Sequence, residues 1–174
     1  MALLTERIQS HIRHLVQHFG TAVYAWDVIN EPIDPNEPDC LVHGPFYKVL
    51  GAKYIDIALR AAREYAPPGT ELFINEYGLS NPARLRCMIR LIHRLRARGV
   101  PLDGIGHEMH THINGPSPQA EFRSFMIIHR LFPRLIQQVT ELDMSVYNSN
   151  DNTSNYGANG GTVPRYLLDE QGWL

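Results

Sequence analysis

Cysteine is scarce in this 174-residue chain, which holds only Cys40 and Cys87. Two cysteines cannot build a disulfide framework, and their spacing fits no zinc motif, so the expectation is a pair of unreactive thiols. An excess of either charge is also lacking, since 16 Lys and Arg stand against 18 Asp and Glu for a formal net charge of -2. That balance provides no electrostatic footprint for nucleic acid or an anionic membrane and favours a neutral or mixed partner. Long apolar runs are missing too. No window approaches the roughly 18 apolar residues that span a bilayer, and the opening Met-Ala-Leu-Leu-Thr-Glu-Arg is too short for the core of a signal peptide. What is present is an apolar fraction of 44% with 20% charged residues, the composition of one globular domain with a real core.

Leu4, Ile8, Ile12, Leu15, Val16 and Phe19 recur at helical spacing before Gly20, which predicts an opening amphipathic helix. Val23 to Asn30 reads as a buried strand, followed by an Asp-, Asn- and Pro-rich loop from Pro32 to Pro45. A helix from about Phe46 to Tyr65 follows, with Val49, Leu50, Ile57, Ala58 and Ala61 expected on its buried face, and Pro67-Pro68-Gly69 stops it. Leu72 to Asn75 is a short strand. Asn81-Pro82 and Ser117-Pro118 each pair an N-cap with proline at the first helical position, opening helices that reach about Gly99 and Leu131. Strands are predicted from about Asp103 to His110 and Leu135 to Leu142. A polar loop from Asn148 to Gly161 and a helix start near Pro164 complete the chain.

An opening helix and four strand-helix units imply parallel strands joined by crossovers, an α/β class. A closed eight-stranded (β/α)8 barrel takes about 250 residues, so four units predict a TIM-barrel segment, without an internal domain boundary.

Trp26-Asp27-Val28-Ile29-Asn30-Glu31-Pro32 delivers an amide and a carboxylate to the end of a strand, and Val139-Thr140-Glu141-Leu142-Asp143 repeats the design. Strand C-terminal ends are where α/β folds keep their chemistry. Two carboxylates across a cleft suit glycosidic bond cleavage, one protonating the leaving oxygen while the other attacks or activates water. The plainer alternative is that one or both simply face a loop. A third reading takes His107, Glu108, His110 and His112 as a metal-binding cluster for a metal-dependent hydrolase, although His-Glu-x-x-His spacing is absent.

Trp-Asp-Val-Ile-Asn-Glu at Trp26 to Glu31, Leu-Phe-Ile-Asn-Glu-Tyr at Leu72 to Tyr77, Asp-Gly-Ile-Gly-His-Glu-Met-His at Asp103 to His110 and Thr-Glu-Leu-Asp at Thr140 to Asp143 together resemble glycoside hydrolase family 10, the endo-β-1,4-xylanases. The four motifs stand in the family's order and span nearly the whole chain. The resemblance implies a (β/α)8 barrel of which residues 1–174 are part, these strands corresponding to its fourth to seventh, without the first three and the last. It implies a retaining double displacement on xylan or xylo-oligosaccharides with no cofactor or metal, in a parent protein that is secreted or extracytoplasmic. Glu31 matches the general acid/base, Glu141 the nucleophile, Asn30 the amide that holds the 2-hydroxyl of the sugar, His110 the histidine bonded to the nucleophile and Asp143 the carboxylate behind it. Asn75 and Tyr77 match positions lining the cleft. The chemistry asks Glu31 to hold a proton when it meets substrate, which calls for burial and the charge of Glu141 beside it.

Two departures from the family pattern stand out. Glu108 occupies a position that is usually Gln, and Asn75 to Gly78 reads Asn-Glu-Tyr-Gly where Asn-Asp-Tyr-Asn is more common, so a cleft contact is absent at Gly78. The strands outside the segment carry polar groups that grip sugar and tryptophans that cover it, so a non-catalytic carbohydrate-binding incomplete barrel is a further alternative. The partner of the segment would then be the remaining barrel or a second copy. Among smaller signals, Tyr24 and Trp26 read as core or wall aromatics, and the arginines from Arg84 to Arg98 as a solvated helix face. Asn148 to Asn152 reads as a polar loop rather than a calcium site, and Asn152-Thr153-Ser154 as a glycosylation sequon.

Overall fold

In the computed structural model, which describes residues 1–147 and 155–173, four strands lie side by side in chain order. They are β1 (Ala25–Asn30), β2 (Glu71–Tyr77), β3 (Gly104–His112) and β4 (Ile136–Ser145), and each pairs in parallel with the next. The helices are α1 (Ala2–Phe19), α2 (Pro45–Leu50), α3 (Lys53–Tyr65), α4 (Pro82–Ala97), α5 (Pro118–Leu131), α6 (Tyr156–Asn159) and α7 (Arg165–Trp173). This is the alternating βα order of a partial (β/α)8 barrel. Residues 148–154, with the sequon and most of the expected polar loop, lie outside the described residues.

Alternation along the strands separates core from site. On β2, Leu72, Ile74 and Glu76 point one way, while Phe73, Asn75 and Tyr77 point the other. Leu72 and Ile74 meet Leu59 of α3 and Met88, Leu91, Ile92 and Leu95 of α4 in a continuous apolar cluster that includes Ile105, Ile128 and Phe132. A fully buried side chain of this size contributes about 1.5–3 kcal/mol, which makes the layer between sheet and helices the main source of stability. The second set, joined by Glu108 and His110 of β3, faces the concave side.

Local chemistry sets the helix starts. The Asn81 side chain accepts from the Ala83 and Arg84 amides and that of Ser117 accepts from the Ala120 amide, with proline at the first helical position in both cases. The single helix expected from Phe46 to Tyr65 is two. Gly51, at φ 60°, closes α2 by donating to the Tyr47 carbonyl at 2.7 Å, and α3 starts afresh two residues on. The break turns Val49 outward, 45% exposed, and the face that α3 buries is Ile55, Ala58, Leu59, Ala61 and Ala62 rather than the Ile57 side.

Three further expectations are corrected. Cys40 and Cys87 are not thiols but a disulfide with Cα atoms 5.3 Å apart, because the loop after β1 folds back over α4. The arginines of α4 are not simply solvated. Arg94 donates to the Asp39 carbonyl at 2.9 Å, Arg90 approaches the Cys40 sulfur at 3.2 Å, and Arg84 pairs at 2.5 Å with the fully buried Glu76. Trp26 does pack, edge-on against Phe19 with centroids 5.8 Å apart, but Tyr24, just before β1, is 71% exposed.

Candidate active site

Two irregularities in the ladder aim the site. Asp27 pairs with Phe73 and Ile29 with Ile74, so Val28 is an extra residue on β1. His107 pairs with Val139 and Glu108 with Glu141, so Thr140 is an extra residue on β4. Each bulge lies just before a candidate catalytic stretch, re-registering the side chains that follow. The second places Glu141 directly across from Glu108, and Asp143 across from His110. Pairing with β3 continues to Ser145, three residues past Leu142, so that Glu141 sits within the strand rather than at its end.

Asn75 is the hub. Its side-chain amide, 2% exposed for the residue, donates to Asn30 Oδ1 at 2.9 Å, Glu108 Oε1 at 2.8 Å and Glu141 Oε1 at 3.0 Å. The Thr140 hydroxyl donates to Asn75 Oδ1 at 2.5 Å, which fixes the amide orientation. Gly106 makes room for this: a Cβ there would collide with Asn75 Oδ1 and stand 2.8 Å from Thr140 Cγ2. On the far side of Glu141, His110 Nε2 lies 3.2 Å from Glu141 Oε2, and His110 Nδ1 lies 2.5 Å from Asp143 Oδ2. The hydrogen bond to Asp143 raises the His110 pKa above its ordinary value against some opposing desolvation. Asn30, Asn75, Glu141, His110 and Asp143 therefore form one connected line of hydrogen-bonding groups across all four strands.

Glu31 joins this line through Asn30, whose amide nitrogen is 3.3 Å from Glu31 Oε1, and through its own N–H, which donates to the Asn75 carbonyl at 2.9 Å. Its backbone is in the left-handed region at φ 49°, uncommon for a side chain of this kind and a conformation that surrounding contacts must hold. The burial expected of Glu31 is absent, since the residue is exposed in this chain. Tyr77 stands apart from the line, half-exposed at the end of β2 with the Arg84 guanidinium 3.8 Å over its ring.

Glu76 was not singled out in the sequence and is central to the loop after Glu31. It accepts from the Ile33 amide at 2.8 Å and from Arg84, tying the first turn of that loop to β2 and α4. Burial raises its carboxyl pKa, opposed by Arg84 and by the backbone donors of Ile33 and Tyr77. The signal for it was strand alternation, which puts Glu76 on the helix-facing side among residues that are otherwise apolar.

Of the histidine cluster, the structure splits the members. His107 faces the helices, stacked on Phe125 with centroids 3.7 Å apart and 3.1 Å from Gln137 Oε1. Burial pushes its pKa down to about 4, leaving it neutral. The metal reading that included it fails on this geometry. Among the described residues, Glu108, His110 and Glu141 are the group whose donor atoms gather within 4.8 Å of one another. Glu108 is 4% exposed, and burial together with the charges of Glu141, Glu31 and Glu76 pushes its pKa up to about 7.

Residues 1–164 match the model of glycosyl hydrolase family 10. A thermostable celloxylanase of Thermoclostridium stercorarium is 36% identical over 169 residues, 97% of this chain and 42% of that protein. Endo-1,4-beta-xylanase A of Thermotoga neapolitana is 39% identical over 170 residues, 97% of this chain and 15% of that protein. Among solved structures, xylanase B from Clostridium stercorarium F9 superposes with a TM-score of 0.90 at 35% identity, covering 99% of this chain and 49% of that one. A mutant structure in complex with xylotriose superposes at 0.86 and 26% identity, over 99% of this chain and 51% of that one. The chain thus spans less than half the length of the curated relatives named here, and about half of the crystallised ones. With residues 1–164 matched by the family model and relatives of 36–39% identity along 97% of its length, this chain belongs to glycosyl hydrolase family 10.

Proposed function

We propose that this chain carries the catalytic centre of an endo-β-1,4-xylanase that hydrolyses internal bonds of xylan with retention, by double displacement. The observation that carries the reading is the line from Asn30 through Asn75, Glu141 and His110 to Asp143, with Glu31 hydrogen-bonded to its first member. Glu141, held between the Asn75 amide and His110, attacks the anomeric carbon while Glu31 protonates the departing oxygen. Having passed its proton to the departing oxygen, Glu31 is a carboxylate and takes a proton from the water that attacks the glycosyl ester on Glu141. Asn30, beside Glu31 at the strand end, holds the 2-hydroxyl, a contact that strengthens in the transition state. The substrate class is supported by the names of the relatives and by the xylotriose complex of the structural neighbour.

The outer edges of β1 and β4 pair with no further strand among the described residues, and Leu142 and Val139 are exposed on β4. This supports closure of the sheet by further strands of the same protein or by a second copy. The Cys40–Cys87 disulfide supports an extracytoplasmic setting, where such bonds persist.

Release of reducing ends from xylan by this polypeptide, compared with Glu31→Ala and Glu141→Ala, tests the assignment. Each substitution is expected to lower the rate by a factor on the order of 10² or more. Equal rates in all three overturn the assignment, and xylan binding that is retained without turnover and unchanged by Glu141→Gln supports a binding module instead.

A further inference from the structure

Glu108 and Glu141 lie side by side across β3 and β4 and make the same two contacts. Each places one oxygen on the Asn75 side-chain nitrogen, at 2.8 Å and 3.0 Å, and the other near His110 Nε2, at 3.5 Å and 3.2 Å. The donors do not suffice for two anions. The Asn75 amide has two hydrogens and must also serve Asn30 at 2.9 Å, and His110 Nε2 can offer one. Two carboxylates sharing donors at this range cannot both ionise freely, and one retains a proton.

We propose that Glu108 and Glu141 form a carboxylic acid–carboxylate pair in which Glu108 holds the proton and thereby keeps Glu141 as the single anion of the pair. The proton belongs on Glu108 because its side chain is 2% exposed, whereas that of Glu141 is 46% exposed and closer to His110, so solvent and imidazole both favour charge on Glu141. The charged groups around Glu108 favour its protonated state: Glu141 from β4 and Glu31 after β1 face it, Glu76 acts from the far side of β2, and His110 on β3 opposes them. Asp27 on β1 adds to the acidic surroundings on the Glu141 side, its own carboxyl raised by burial first and by Glu141 second. Glu108 is a positioning residue here, acting through Glu141, and its role as partner of the nucleophile rests on the function proposed above.

The experiment follows the infrared band of protonated carboxyl groups in the whole chain as a function of pH. The expected result is a component worth one carboxyl that vanishes through about pH 7 and is missing from Glu108→Gln. In Glu141→Gln, where the partner charge is gone, the same component should vanish at a pH lower by about one unit or more. Identical spectra for the unsubstituted chain and Glu108→Gln overturn the proposal, as does a midpoint that does not move in Glu141→Gln. Carbon-13 titration of glutamate carboxyls in the unsubstituted chain covers the case in which a variant does not fold: two coupled, biphasic curves support the pair, and only simple independent curves overturn it. Neither readout requires turnover. Absence of xylan hydrolysis would remove the nucleophile role while leaving the pair standing, and an ionised Glu108 would remove the pair while leaving hydrolysis standing.

Discussion

Asn75 has two amide hydrogens and three oxygens competing for them, and everything around it is arranged to keep that amide still. Thr140 takes its oxygen, Gly106 vacates the space beneath it, and Asn30, Glu108 and Glu141 meet its nitrogen. At the other end of the line, Asp143 does for His110 what Thr140 does for Asn75. Replacing it by Asn removes the largest cause of the raised His110 pKa, so the titration midpoint of the ring, followed by proton NMR, should fall toward the ordinary histidine value. A midpoint unchanged in Asp143→Asn would show that Glu141 and Glu108 alone hold the ring charged. Residue types at strand ends were legible in the sequence: Asn30, Asn75, Glu141, His110 and Asp143 are drawn from its motifs, and the fold brings them together. The left-handed backbone of Glu31 was not legible, since φ there is held by a hydrogen bond from Glu31 N–H to a carbonyl on another strand. Nor was the burial of Glu108, which depends on which strands flank β3.

Among the elements, the bulges at Val28 and Thr140 matter most, because a single extra residue turns every later side chain to the opposite face. Period-two alternation in the sequence locates a strand but passes over such a residue. Gly106→Ala is the sharpest test of this region. Its Cβ would displace the Asn75 oxygen and press on Thr140, and overpacking of this kind costs about 1–3 kcal/mol. Urea unfolding of the variant should show that loss, and any turnover should fall with it, because the Asn75 amide can no longer hold both Asn30 and Glu141. The loop between β1 and α2 is the other element whose placement is decided at a distance. Disulfide, Arg90, Arg94 and the Glu76–Ile33 contact all fasten it to β2 and α4. With 47 residues of sequence separation, closing this loop covalently restricts the unfolded chain by about 4 kcal/mol on the chain-entropy model. Reducing it, or replacing both cysteines with Ser, should lower the urea midpoint correspondingly. The bond went unread in the sequence because two cysteines so far apart carry no spacing signal.

At the scale of the whole molecule, the order of strands and helices was legible because each βα unit is written locally, in apolar runs, caps and prolines. What falls outside local reach is how the two faces of one strand answer each other. His107 and Glu108 are neighbours on β3 and point to opposite sides, the first into the helix layer and the second into the site. Burial lowers the His107 pKa from 6.5 to about 4, so between those values the unfolded chain binds the extra proton and stability is lost as pH falls. Burial and neighbouring charge raise the Glu108 pKa from 4.5 to about 7, so over nearly the same range the folded chain holds the extra proton and stability is gained as pH falls. Each effect taken alone is on the order of 3 kcal/mol at most, and the two have opposite sign. Folding of the unsubstituted chain should therefore take up almost no net proton from these two residues, and their combined contribution to the urea midpoint should stay nearly level from mildly acid to neutral pH. Glu108→Gln should uncover a fall in stability toward acid, and His107→Gln a fall toward neutrality. Two adjacent residues on one strand, back to back, act as a proton counterweight, each offsetting what the other adds to the pH dependence of the fold.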